Sequence, residues 1–81
     1  ILMNKLPKVR VRRTSGLSLY HEIVECRVDM WRDQSTRSWV IQFNDSNGYQ
    51  INAAEYYGSK DQADARIAEL NDIAACGGVV E

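Results

Sequence analysis

Ser38-Trp-Val-Ile-Gln-Phe-Asn-Asp-Ser-Asn-Gly-Tyr-Gln-Ile51 decides the fold. Two runs that alternate apolar with polar residues flank Asn47-Gly48, and both residues of that pair tolerate the positive φ that a tight hairpin demands. The stretch therefore predicts a β-hairpin. A strict two-residue loop would pair Ser46 with Tyr49 and mix polar with apolar side chains on each face. A three-residue loop of Ser46, Asn47 and Gly48, closed by a glycine bulge, instead pairs Asp45 with Tyr49, Phe43 with Ile51 and Ile41 with Ala53. Every large apolar residue then shares one face, so the three-residue loop is the expected register.

Upstream, residues 17–31 admit two readings. Leu17, Tyr20, Val24, Val28 and Trp31 fit one face of a helix, whereas Tyr20, Val24, Cys26, Val28 and Met30 alternate as in a strand. The β-branched content and the adjoining hairpin favour a strand over Ile23 to Trp31, with Ser18 to Glu22 irregular or a short helical turn. A four-residue turn from Asp33 to Thr36 pairs Met30 with Trp39, Val28 with Ile41 and Cys26 with Phe43. One face of a three-stranded meander then carries Val24, Cys26, Val28, Met30, Trp39, Ile41, Phe43, Tyr49, Ile51 and Ala53. Lys8 to Arg13 alternates charge with valine, as expected of an edge strand guarded against intermolecular pairing. Thr14 to Gly16 reads as a turn.

That apolar face needs a cover, and the C-terminal third supplies it. Ser59-Lys-Asp-Gln62 is a capping box. Ala63, Ile67, Leu70 and Ala74, with Ile73 beside them, form a stripe at helical spacing. Gly77-Gly78 stops the run, so a helix is expected over Lys60 to Cys76. The fold class that follows is α+β: an antiparallel sheet of three to four strands with one C-terminal helix on its apolar face. Residues 1–7 read as a flexible arm, with Ile1 and Leu2 as vector-derived, residues 8–78 as a single domain, and residues 79–81 as a tail.

With 81 residues the chain has room for one core. An apolar fraction of 44% and a charged fraction of 26% exclude wholesale disorder. No apolar run reaches the ~20 residues that span a bilayer and no secretion signal precedes the body, so a cytoplasmic protein without membrane contact is expected. Lys5, Lys8, Arg10, Arg12 and Arg13 crowd the first 13 residues without an acid, while residues 44–81 sum to −5. This asymmetry either builds a polyanion-binding arm or neutralises the acidic helix within the fold.

Chemistry-bearing motifs are scarce. Cys26 and Cys76 either bridge or stand as two buried thiols, and buried thiols are the rule in a reducing compartment. Neither forms a zinc-ligand spacing with His21. If the strand reaches back to His21, then His21 and Cys26 fall on opposite faces of it and cannot act as base and nucleophile. Gly77-Gly78 ends a helix instead of opening one and offers no phosphate cradle. No enzyme, cofactor or metal is expected.

The face away from the helix holds the candidates. Parity places Arg27, Gln42, Asn44, Gln50 and Asn52 there, with Arg10 and Arg12 on the neighbouring strand. Arg, Asn and Gln can read base edges bidentately, and a sheet of two or three strands fits a major groove. In topology a three-stranded sheet with a C-terminal helix is similar to integrase arm-binding and plant AP2-type domains, a likeness that implies DNA contact by the sheet. Against it, Glu25, Asp29 and Asp33 repel phosphates. Trp31, Val40, Tyr56 and Tyr57 are the candidate protein contacts, Tyr56-Tyr57-Gly58 falling in the loop before the helix, since Trp and Tyr anchor interfaces. Homodimerisation through an edge strand is a further expectation. The ranking that results is a non-enzymatic adaptor or inhibitor acting on an unidentified protein, of a size suited to an accessory protein of a phage or other mobile element, ahead of a nucleic-acid-binding domain.

Overall fold

A computed structural model describes residues 6–14 and 22–81. Along them run β1 (Lys8–Arg12), β2 (Ile23–Asp33), β3 (Ser38–Asn44), β4 (Glu55–Tyr57), α1 (Lys60–Ala75) and β5 (Val79–Val80). The strands join one sheet in the order β4-β3-β2-β1-β5, so the protein is α+β. Residues 1–5 and 15–21, and with them most of the proposed arm, the helical-turn alternative and His21, lie outside the described residues.

Among the described residues the sheet has five strands and is mixed, not three to four antiparallel strands. Val79 and Val80, expected as a tail, run parallel to β1 with Arg10 opposite Val79 and Val11 opposite Val80. Burial explains the difference: Val80 joins the core beside Val9 and Val11. The glycines that stop α1 aim the chain there. Gly77, at φ 69°, donates its N–H to the Ala74 carbonyl and Gly78 donates to that of Ile73, a Schellman closure that reverses the chain onto β1. At the other helix end the Ser59 hydroxyl accepts the Gln62 N–H at 3.2 Å. Ala63, Ile67 and Leu70 are the fully buried helix residues and share one core with Val9, Val11, Val28, Ile41 and Phe43 of the sheet and with Ile51.

The three-residue hairpin loop is present. Asp45 donates its N–H to Tyr49 at 2.9 Å, Ile51 donates to Phe43 at 2.8 Å, and Asn44 faces Gln50. Gly48, at φ 85°, closes it. Beyond Ile51 the expected ladder fails, because Ile41 faces Glu55 instead of Ala53. Two extra residues bulge out, and Tyr56 and Tyr57, expected in a loop, belong to β4. Tyr49 and Ala53 are correspondingly exposed rather than on the buried face. Asn52 accounts for the break. It adopts φ 63°, and its side chain accepts the Thr14 N–H at 2.8 Å and donates to the Arg12 carbonyl at 2.8 Å. That amide ties the bulge to β1, two strands beyond β3, and the sheet curls.

The turn between β2 and β3 has the expected length but starts one residue later, over residues 34–37. The Asp33 carboxylate accepts the Ser35 N–H at 2.9 Å and the Ser35 hydroxyl at 2.7 Å, which keeps Asp33 in the strand opposite Ser38. Those hydrogen bonds from Ser35 also hold its carboxyl below the usual range. The register consequently slides by two: Met30 faces Ile41 instead of Trp39, and Val28 faces Phe43. A slide of two conserves parity, so the buried face survives.

Asn52→Ala removes both bonds to β1 and strands a Cβ-bearing residue in left-handed backbone, so it should lower the unfolding free energy by about 2–4 kcal/mol, and Asn52→Gly by roughly half that. Urea denaturation of the two variants checks the order.

Candidate functional site

Trp31 and Val40 fall where parity put them, on the face that α1 leaves open, and Tyr56, expected in a loop, joins them there from β4. Trp31 on β2, Val40 on β3 and Tyr56 on β4 are directly opposite one another across three strands. Trp31 is 41% exposed and Tyr56 60%. Val40 was expected to be exposed and is not: only 2% of it is accessible, because two large rings flank a short side chain in register. The result is an apolar row with a filled centre and two open aromatic ends.

Tyr57 belongs elsewhere. Its hydroxyl donates to Glu55 Oε1 at 2.6 Å, and Arg66 of α1 donates to both oxygens of that carboxylate at 3.0 and 3.1 Å. Tyr57 closes the seam between sheet and helix and is not a free protein contact. Burial, then the hydrogen bond to Glu55, pushes the Tyr57 phenol up to about 12. The Glu55 carboxylate also raises the Arg66 guanidinium above its ordinary value.

The proposed nucleic-acid residues share a sheet but are largely engaged within it. Asn44 is buried and donates to Asp29 Oδ2 at 2.6 Å. Asn52 is committed to the β1 backbone. Gln50 donates to the Asn52 carbonyl at 3.1 Å. Among the arginines, Arg10 donates to the Gly77 carbonyl, Arg12 pairs with Glu81 at 2.8 Å and Arg27 lies 3.9 Å from Asp29. Exposed pairs of this kind are worth ~0–1 kcal/mol and yield readily to a phosphate. The two asparagines do not, since freeing them opens a buried contact and the sheet closure. Gln42 remains half-buried in the row opposite Asp29.

The cysteines are free: Cys26 is buried, as expected, and Cys76, the C-cap of α1, is exposed, contrary to expectation. Burial, reinforced by Asp45, pushes the Cys26 thiol up, which disfavours the reactive thiolate. Among the described residues no three His, Cys, Asp or Glu gather as metal ligands, and no helix is long and apolar enough to cross a membrane.

A feature that the linear sequence concealed lies at the other end of β2. This strand has 11 residues and β3 only 7, and their pairing stops at Arg27 with Asn44. Among the described residues the N-terminal end of β2 therefore has β1 on one side and no paired strand on the other, and an open cleft of about 550 Å³ lies against it, lined among others by Lys8 of β1, Glu22, Glu25, Arg27, Asp45 and Ser46. Finding it needed the true register, which the Asp33 turn conceals by two residues.

No protein-family model, curated protein or solved structure matches this chain.

The Tyr57 phenol ionises near 10.0 in an unfolded chain and near 12 in the native one. Between those values the unfolded state binds fewer protons, so native stability is intact below pH 10 and falls as pH rises toward 12. Tyr57→Phe should cost about 1 kcal/mol at neutral pH and remove that part of the alkaline decline. Thermal melts of both proteins across the window measure it.

Proposed function

We propose that this chain is a small, non-catalytic binding module whose partner is a protein, engaged through the row Trp31, Val40 and Tyr56. The observation that carries this is the row itself. Two exposed aromatic rings stand over a buried valine on a strand framework that fixes their separation, and rigid Trp and Tyr side chains are the usual anchors of an interface. A surface without such a role normally scatters its exposed aromatics singly. The unbridged cysteines fit a cytoplasmic setting.

Nucleic acid is the second reading, supported by Lys8, Arg10, Arg12 and Arg27 on the same side of β1 and β2. It ranks lower because Asn44 and Asn52, its base-reading groups, are held by Asp29 and the β1 backbone.

Affinity capture from native lysate, with three baits compared side by side, separates the two. A partner retained by the wild type and by Arg10→Glu/Arg12→Glu/Arg27→Glu, but lost from Trp31→Ala/Tyr56→Ala, is the expected result. Loss with the arginine variant alone, or a salt-sensitive mobility shift of generic DNA or RNA by the wild type, would transfer the function to nucleic acid.

A further inference from the structure

We infer that the open edge of β2 at Ile23–Glu25 is a second binding site, one that takes an extended, cationic peptide segment of a partner protein as an added β-strand. The site is separate from the aromatic row and is defined by backbone geometry.

Hydrogen bonds fix which way each residue of β2 points. Arg13 donates to the Glu22 carbonyl at 2.8 Å and Val28 donates to the Pro7 carbonyl at 3.3 Å. In an antiparallel ladder the bonded pairs recur every second residue, so Glu22, Val24, Cys26 and Val28 turn their N–H and C=O groups toward β1. Ile23, Glu25 and Arg27 turn theirs to the opposite side. Arg27 meets Asn44 there. A continued β3 would bring positions 46 and 48 opposite Glu25 and Ile23, but Asp45 has already led the chain into the hairpin. Two N–H and two C=O groups thus point away from β1, at the end of β2 that the cleft adjoins, without a backbone partner among the described residues. Only another extended backbone presents donors and acceptors at the matching repeat, which is the physical basis of strand addition.

Side chains narrow the occupant. Along the edge the sequence is Glu22-Ile23-Val24-Glu25. Antiparallel pairing sets each incoming residue on the same face as the one it opposes, so charge complementarity asks for cations opposite Glu22 and Glu25 and apolar residues opposite Ile23 and Val24. Asp45 adds a third carboxylate at the cleft against Lys8 and Arg27. Ile23 is 46% exposed and Val24 only half-buried, so both have apolar surface to cover. A segment reading lysine-valine-valine-lysine satisfies all four positions.

The test uses that segment, flanked by threonines and fluorescently labelled, as the probe. Fluorescence anisotropy should show saturable binding, and titration of the labelled protein should move the Ile23 and Glu25 amide resonances most. A probe N-methylated on the backbone groups that face β2 should fail to bind. Glu22→Lys/Glu25→Lys should weaken the lysine probe several-fold and gain affinity for a glutamate-valine-valine-glutamate probe, a reversal that a merely unfolded variant would not show. Trp31→Ala/Tyr56→Ala should bind the probe as the wild type does, so this site and the aromatic row stand or fall separately. Undiminished binding of the N-methylated probe, no binding of the lysine probe, or shifts centred on Trp31 and Tyr56 would overturn the inference. So would Ile23 and Glu25 resonances that move with protein concentration alone, because a second copy of this chain would then be the occupant.

Discussion

Asp45 is the hinge on which this architecture turns. Its carboxylate accepts the N–H groups of Asn47 and Tyr49, both at 2.9 Å, while its own backbone exchanges bonds with Gly48 and Tyr49. Those contacts end β3 at Asn44 and reverse the chain within three residues. The reversal brings Asn52 to the β1 backbone, which curls the sheet, and it withdraws β3 from the first residues of β2, which opens the cleft. One turn therefore closes the sheet at one place and exposes a strand edge at another.

The hairpin register was legible because two constraints agreed there: the Asn47-Gly48 pair restricts φ, and only one loop length gathers Phe43 and Ile51 on a single face. The helix stripe of Ala63, Ile67 and Leu70 was legible for the same reason. What escaped were interactions with no local signature. Asn52 bonds to residues nearly 40 positions away, and a single asparagine in a polar stretch gives no sign of that. β5 is two valines long and gains its place from burial beside β1. The Asp33 turn slipped by one residue because its carboxylate caps from inside the strand, a choice between Asp33 and Gln34 that hydrophobic patterning does not discriminate.

Candidate residues fared according to whether strand parity governed them. Trp31 and Val40 share a face because each stands in a strand of known alternation, whereas Tyr56 joins them through β4, which was expected as a loop, and the depth of Val40 depends on neighbours that parity does not describe. The polar set, chosen for hydrogen-bonding capacity, turned out to spend that capacity on the fold: Asn44 on Asp29, Asn52 on β1. The proposed row and the proposed strand site lie along one strand, with Glu25 and Trp31 six residues or ~20 Å apart.

Native-state hydrogen exchange resolved to single amides tests the geometry of β2 most directly. The amides of Val24 and Cys26, bonded to β1, should be protected, and those of Ile23 and Glu25, directed away from β1, should exchange orders of magnitude faster, giving alternating protection along one continuous strand. Equal protection at all four positions would contradict an open edge and, with it, the role given to Asp45.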